Sequence, residues 1–531
     1  MKTSRSRNRG HSRGRRRVPR APIISPPNTS RRLEKLSEPS LAFGYGQETE
    51  DPRDGLTLFG PLQEDRPFGI RAACIGTEEG IAMFENWVNW AQLPVANESA
   101  ISRPPFPGFQ AAFRIPWDPR PAITRVVSRE ELEKQLYLDD VHLRVYGLVN
   151  IFADRILDAK KNDEATCNVW FVVIPDEVKK YGRPLSVVPP DLRQKALRHF
   201  GAASVAKRYT DSLFPQLRED ATPYSYEQHF RNQLKARLLK ETLATQVIRE
   251  STLANVRSLT PNMSRREKSA ILMQSQIAWT LSTAGFYKAG GRPWKAANIR
   301  EGVCYVGLVF KRDFTHPNPQ MACCAAQMFL NSGDGVVFKG AVGPWYNPIQ
   351  NTFHLKRDAA KQLATLVMSS YKERVGGKPK ELFLHGRVRF DDEEWRGFEE
   401  YVGSETNLVG VRIRDEANLK LYRYGESPIL RGMAYVIGAS KAILWTVGWV
   451  PRLGTYPGRE VPVPLNIEIS RGSADIRVVL SDIMSLTKLN YNACIFSDGS
   501  PITLKFADAI GEVLTAGPIG DVPPLPFRYY I

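Results

Sequence analysis

Short apolar runs alternate with amphipathic stretches over the first three hundred residues of the chain. Residues 70–75 and 169–174 are two such runs, the second closing on Pro175-Asp176, and 245–249 reads as a further short strand. Between them, 78–90, the residues following Asp176, 226–242 and 265–287 carry the three-to-four spacing of helices. Strands this apolar have no solvent face, so the alternation predicts a parallel sheet covered by helices on both sides. The stretch 38–61, with its Asp-Pro-Arg-Asp-Gly and Phe-Gly-Pro segments, reads as turn-rich and irregular.

After Gly302 the rhythm changes. Strands at 303–310, 322–330 and 336–340 follow one another, with Gly333-Asp334-Gly335 as a hairpin turn between the last two. A helix at 358–374, a strand at 382–390 and a helix at 391–400 come next, and strands at 408–413, 433–437 and 443–450 with a helix near 475–486 end the chain. Three strands and then helix, strand, helix is the order of a ribonuclease-H-like sheet. The fold class read from the pattern is therefore α/β, a Rossmann-like domain followed by a ribonuclease-H-like one.

Composition narrows the class further. The chain has 531 residues, 42% hydrophobic and 24% charged, enough for a sizeable core and more than one domain. Its most apolar run, 442–450, is under half of the roughly 20 residues that cross a bilayer. The N-terminal basic residues are followed by four prolines within 18–27 rather than by an apolar segment, so no secretory signal and no membrane contact are expected, and the location read from the sequence is cytoplasmic. Cys74, Cys167, Cys304, Cys323, Cys324 and Cys494 are too scattered for a disulfide framework, and none forms a C-x-x-C pair. Adjacent Cys323 and Cys324 fall in an apolar strand, where one side chain faces each side of a sheet.

The net charge is +17, and residues 1–35 hold twelve basic residues against the single acid Glu34, eleven of those seventeen charges. Such a tail cannot bury apolar area; it is expected to be disordered and suited to nucleic-acid phosphates, or else to serve only solubility.

One constellation points to an anion. In the helix at 226–242, Arg231 and Lys235 lie four residues apart and share a face, so they repel unless an anion sits between them. Gln246 opens the next strand, and Lys288 precedes Ala289-Gly290-Gly291, where glycines let backbone N–H groups approach a ligand. In this order the residues resemble the guide 5′-phosphate pocket of the MID domain of Argonaute proteins. Gly302-Val303-Cys304-Tyr305-Val306-Gly307-Leu308, Leu444-Trp445-Thr446-Val447-Gly448, Thr455-Tyr456-Pro457-Gly458 and Leu486-Thr487-Lys488-Leu489-Asn490-Tyr491-Asn492 look like the PIWI domain of short prokaryotic Argonautes, in which MID and PIWI make up the whole chain. The resemblance implies a basic tail over 1–35, a MID domain with an N-terminal linker region over 36–300, and a PIWI domain over 301–531. It assigns Arg231, Lys235, Gln246 and Lys288 to the guide 5′-phosphate. It also implies a Mg²⁺ ion bridging that phosphate to the carboxylate of the C-terminal residue, Ile531.

The same resemblance bears on cleavage. A slicing PIWI domain needs four acidic or histidine ligands for two metal ions. The first position, in a Gly-x-Asp arrangement, is occupied by Val309 after Gly307-Leu308, and the second by Arg387 in His385-Gly386-Arg387. Residues 336–356 contain no glutamate for the third, and only Asp508 matches a ligand position. Asp391-Asp392-Glu393-Glu394 reads as a helix start, where acids favour the dipole. His385 reads as packed at a strand end.

The leading reading is therefore a catalytically inactive, guide-binding Argonaute. It would pair a guide RNA with a complementary target ssDNA and activate an APAZ-containing effector protein. That partner would bear a TIR-like or sirtuin-like NAD-depleting domain, or a nuclease, in anti-plasmid or anti-phage defence by abortive infection. Two other readings stand beside it: a ribonuclease-H-like nuclease with a displaced metal site around Asp334, Asp391 and Asp508, and a basic protein that coats nucleic acid through its tail.

Overall fold

The computed structural model describes residues 33–531 apart from 64–68, 98–102, 164, 255–272, 313–320, 331–334, 457, 459, 519, 521–522 and the side chains of 309 and 341. Its first sheet has four strands, all parallel, in the order Ile123–Val126, Ala72–Gly76, Val169–Ile174, Thr245–Arg249. Val169–Ile174 is buried along its whole length. Alternation along the central strands divides the side chains between two cores: Ala73, Ile75, Trp170 and Val172 pack with Phe152, Phe230 and Leu234, whereas Cys74, Phe171 and Val173 pack with Phe84, Trp117 and Trp279. This is the Rossmann-like half that the pattern implies.

The second sheet has ten strands: Leu33–Lys35, Met433–Gly438, Lys441–Leu444, Leu465–Arg471, Asn407–Asp415, Glu381–Gly386, Val303–Arg312, Ala322–Phe329, Gly335–Gly343 and Leu525–Pro526, in that spatial order. Glu381–Gly386 pairs in parallel with both of its neighbours, and every other pair is antiparallel. Helices Arg357–Val375 and Asp392–Val402 fill one face together with Cys324, while Ile476–Leu486 and Ala507–Leu514 fill the other together with Cys323, so the two cysteines do face opposite sides. The core on that second face continues into the first sheet and includes Phe171, Trp279, Tyr305 and Ile531. The sheets are therefore joined by packed apolar surface.

Several expected elements differ. Residues 1–32 lie outside the described residues, but 33–35, expected as part of the tail, form an edge strand paired with Met433–Gly438, and Glu34 is ion-paired with Arg477. The stretch 38–61 contains a true helix, Pro52–Phe59, because Asp51 caps it by accepting from Arg53 N at 3.0 Å and Pro52 sits where no N–H is needed. The helix expected over 226–242 runs only from Phe230 to Leu238, with a 3-10 turn Leu239–Glu241 after it; Tyr226 and His229 are extended. The strand expected over 382–390 stops at Gly386, and that over 443–450 stops at Leu444. The expected helix over 265–287 is described as Gln274–Lys288, its first part and the turn residues Gly333 and Asp334 lying outside the described residues. Val141–Asn162, Ile123–Val126 and Leu465–Arg471 are additional. Among the described residues, no helix is long and apolar enough to cross a membrane.

Candidate nucleic-acid interface

The helix Phe230–Leu238 runs into Thr245–Arg249 through a tight turn closed by Thr242 at φ 51°, so helix and strand lie antiparallel and the helix N-terminus meets the carboxyl ends of the parallel strands. There a cavity of about 360 Å³ opens. Ile174 and Arg249 from strand ends, Gly182 and Phe230 line it, with Lys179, Arg183, His229 and Arg231 adding further cationic or titratable groups. Crevices at the carboxyl ends of parallel strands, against a helix N-terminus, favour anionic ligands.

Lys235, one turn below Arg231, and Lys288, at the end of helix Gln274–Lys288, are each 2% exposed. Their ammonium groups converge on one backbone atom: Lys235 Nζ and Lys288 Nζ both donate to the Thr245 carbonyl oxygen at 3.0 Å. Lys235 also donates to Thr245 Oγ1 at 3.2 Å, and Lys288 to Gln246 Oε1 at 2.6 Å. Burial holds both lysines well below the ordinary lysine range; Lys288 and Arg231 push Lys235 further the same way, as Arg231 does Lys288. Arg231 is lowered by burial and opposed only by Glu512. Among the described residues neither lysine has a carboxylate partner. The four residues Arg231, Lys235, Gln246 and Lys288 are therefore brought into one cluster, of which only Arg231 reaches the cavity wall.

Ile531 is 1% exposed, and the turn Phe527–Tyr529 packs against helix Gln274–Lys288. Helix Ala507–Leu514 packs against Phe230–Leu238 and carries Glu512, which takes hydrogen bonds from Lys311 Nζ at 3.1 Å and Asn232 Nδ2 at 3.3 Å.

At the second sheet, His385 pairs with Gly307 in parallel register, and the strand ends at Gly386, just before Arg387. Gly307 has no room for a side chain, since a Cβ there would come 1.9 Å from the Thr503 carbonyl oxygen. His385 is buried, sits 2.9 Å from Thr503 Oγ1 through Nδ1, and is pushed down to about 3 by burial, which fits a packed strand end. Arg387 Nη2 donates to Asp508 Oδ2 at 3.4 Å, both side chains being exposed. Asp391 instead caps helix Asp392–Val402, so the structure gives Asp391 and Asp508 different partners, and Asp334 lies outside the described residues.

Lys179, Arg183 and Arg249 are cavity residues that the sequence pattern does not single out. The available signal is positional: each closes or follows a parallel strand.

Taken together, the parallel four-stranded sheet and the mixed ten-stranded sheet make the MID–PIWI fold of Argonaute proteins. Over 94% of its length the chain superposes on the Clostridium butyricum Argonaute bound to a guide DNA and a 19-mer target DNA, at a TM-score of 0.61, 14% identity and 55% of that chain. Drosophila Piwi gives a TM-score of 0.54 at 12% identity over 94% of this chain and 56% of that one. Aquifex aeolicus Argonaute with externally bound siRNA gives 0.51 at 16% identity over 94% and 56%. The chain thus spans about half the length of the structures it matches. No protein-family model and no curated protein matches the sequence.

Proposed function

We propose that this chain is a guide-binding Argonaute that does not cut: it holds a short 5′-phosphorylated strand, RNA in the reading the family resemblance favours, and pairs it with complementary single-stranded DNA. The observation that carries the reading is the lysine pair on Thr245. Placing an ammonium in the interior costs several kcal/mol unless a counter-charge offsets it. Two of them, with Arg231 above and no carboxylate partner among the described residues, form a site whose charge an entering anion balances. A terminal phosphate brings nearly two negative charges at pH 7 and three acceptor oxygens, which suits two ammonium groups and a guanidinium.

The resemblance adds Mg²⁺, which takes one or two carboxylates together with phosphate oxygens; in that reading the carboxylate of Ile531, a buried residue, would be the protein ligand. When bound, the ion would screen that carboxylate from the phosphate. Lys235, Lys288 and Arg231 hold and orient the strand end, and Gln246 fixes Lys288.

The absence of cleavage rests on the second sheet. Two-metal hydrolysis needs several carboxylates around one point; the first two positions here hold Val309 and Arg387, and Arg387 spends its charge on Asp508. In this reading target capture is the output, and a separate APAZ-containing effector protein, with a TIR-like, sirtuin-like or nuclease domain, converts it into plasmid or phage defence. The test is to offer the protein the same strand with a 5′-phosphate or a 5′-hydroxyl, then a labelled matched DNA in Mg²⁺ or Mn²⁺. At least about tenfold tighter binding of the phosphorylated strand is expected, for one charge-assisted contact or more, and the target should be retained intact. Equal binding of both strands, or a product cut opposite the middle of the guide, would overturn the proposal.

A further inference from the structure

Helix Asp392–Val402 opens with a carboxylate cluster that does more than favour a helix dipole. Asp391 is the N-cap, its Oδ1 accepting from Glu394 N at 2.8 Å. Glu394 stands three residues on, where a capping glutamate ordinarily turns back to the cap. Here it turns away: its Oε1 accepts from Leu355 N at 3.2 Å, and its Oε2 faces His354, which follows the small hairpin Tyr346–Asn347 and Thr352–Phe353. Each carboxylate thus spends one oxygen on the backbone and directs the other at the same imidazole. Among the described residues no lysine or arginine pairs with Asp391 or Glu394, although the Glu394 side chain is only 2% exposed.

We propose that His354, Asp391 and Glu394 form a binding site for a divalent transition-metal ion, of the zinc class, open to solvent at its fourth position. The distances favour this over a tight histidine–acid clamp. His354 Nδ1 lies 3.4 Å from Glu394 Oε2 and 3.6 Å from Asp391 Oδ2, and the three donor atoms fall within 4.8 Å of one another. An imidazolium bonded to carboxylates draws them to about 2.7–2.9 Å. Ligands about 2.0–2.2 Å from a tetrahedral zinc ion are instead separated by roughly 3.3–3.6 Å. The two histidine–carboxylate spacings fall in that range, and the carboxylate oxygens lie within 4.8 Å of each other.

The backbone bonds to Asp391 Oδ1 and Glu394 Oε1 orient the donors as outer partners do in built metal sites. Side-chain exposures of 20% for His354 and 44% for Asp391 leave a path for the ion and a water. One imidazole with two carboxylates suits zinc or manganese better than magnesium, which prefers oxygen donors alone. The ion would fasten the loop before helix Arg357–Val375 to the start of helix Asp392–Val402, five residues beyond Arg387. This site is independent of the guide pocket.

The full-length chain, stripped with a chelator and dialysed, would be titrated with Zn²⁺ against a chromophoric competitor, and with Co²⁺ for the visible bands of a low-symmetry four-coordinate site. One equivalent of tight binding is expected, accompanied by a rise in melting temperature. Asp391→Asn keeps the helix cap and Glu394→Gln keeps the side-chain volume; each should weaken zinc at least about tenfold, with guide binding unchanged. If the metal-free melting temperature of a variant falls, His354→Gln, which touches no helix cap, supplies the same comparison. No stoichiometric zinc in the parent chain, or variants that bind it as the parent does, would overturn the site.

Discussion

Two ammonium groups that share one carbonyl oxygen are both comfortable only when an anion is beside them. In the strand-free protein, burial first, and each other and Arg231 second, lower Lys235 and Lys288; the remaining neighbours, Thr245 and Gln246, are neutral. The unfolded chain keeps both lysines protonated at neutral pH, so it binds more protons than the folded one, and these lysines make the strand-free protein gain stability as pH rises from the lowered folded pKa toward the ordinary value. In the proposed reading a 5′-phosphate would reverse the preference by favouring the charged forms. Strand binding should therefore take up protons, and the advantage of the phosphorylated strand should shrink as pH rises. Calorimetric titrations in two buffers of different ionisation enthalpy measure this directly: net uptake for the 5′-phosphate strand and none for the 5′-hydroxyl strand. Lys288→Met should abolish part of the uptake and cost the phosphorylated strand about 1.5–3 kcal/mol, roughly ten- to a hundredfold; equal uptake for both strands would mean that the lysines do not meet the phosphate. At this scale the cluster is readable because its members fall in a set order around one strand and one glycine pair. Lys179, Arg183 and Arg249 are not, because a lone cation in a polar stretch has no pattern until the sheet brings strand ends together.

Among the elements, Glu381–Gly386 and Val303–Arg312 matter most, since their parallel register sets His385 beside Gly307, and Arg387, just past the strand end, reaches Asp508. The Arg387–Asp508 pair is 59% and 68% exposed, and exposed pairs contribute only about 0–1 kcal/mol. In the proposed reading Arg387 would leave Asp508 for a phosphate of a bound duplex, where its planar fork has more to gain. Arg387→Ala should weaken matched-target binding several-fold while moving the melting temperature little, which target titration and thermal unfolding on the same samples would separate; a large loss of stability would make the arginine structural. The buried strand Val169–Ile174 is legible to the residue because a continuous apolar run closed by Pro175 has few other solutions. Helix Val141–Asn162 is harder to see because Arg144 interrupts its apolar face: the side chain is buried and its guanidinium donates to the carbonyls of Tyr181, Leu138 and Ser186. The run 443–450 stays apolar past its strand because Gly448 packs against the backbone of Ile429 and Arg431, an approach no alternation pattern records.

Over the whole molecule, charge and fold are arranged separately. Residues 33–531 carry a modest excess of positive charge, and residues 1–32, which hold most of the net charge, precede Leu33–Lys35, the outermost strand of the ten-stranded sheet. The cut that tests the arm therefore falls after residue 32, because removing 33–35 would strip an edge strand and the Glu34–Arg477 pair along with it. Residues 1–32 contain eleven basic residues and no acid. If they lie on nucleic acid, the truncated protein should bind non-specific strands more weakly at low salt, and its dependence on salt should flatten by roughly one unit of slope for each phosphate that the arm no longer neutralises. Discrimination for a 5′-phosphate should survive, because in the proposed reading the buried cations around Thr245, outside the removed segment, would hold the strand end at short range. Binding isotherms at several salt concentrations, on strands with and without the phosphate, separate the two contributions. An unchanged slope would assign the arm to solubility, whereas loss of phosphate discrimination on truncation would mean that the arm, rather than the lysine pair, grips the strand end.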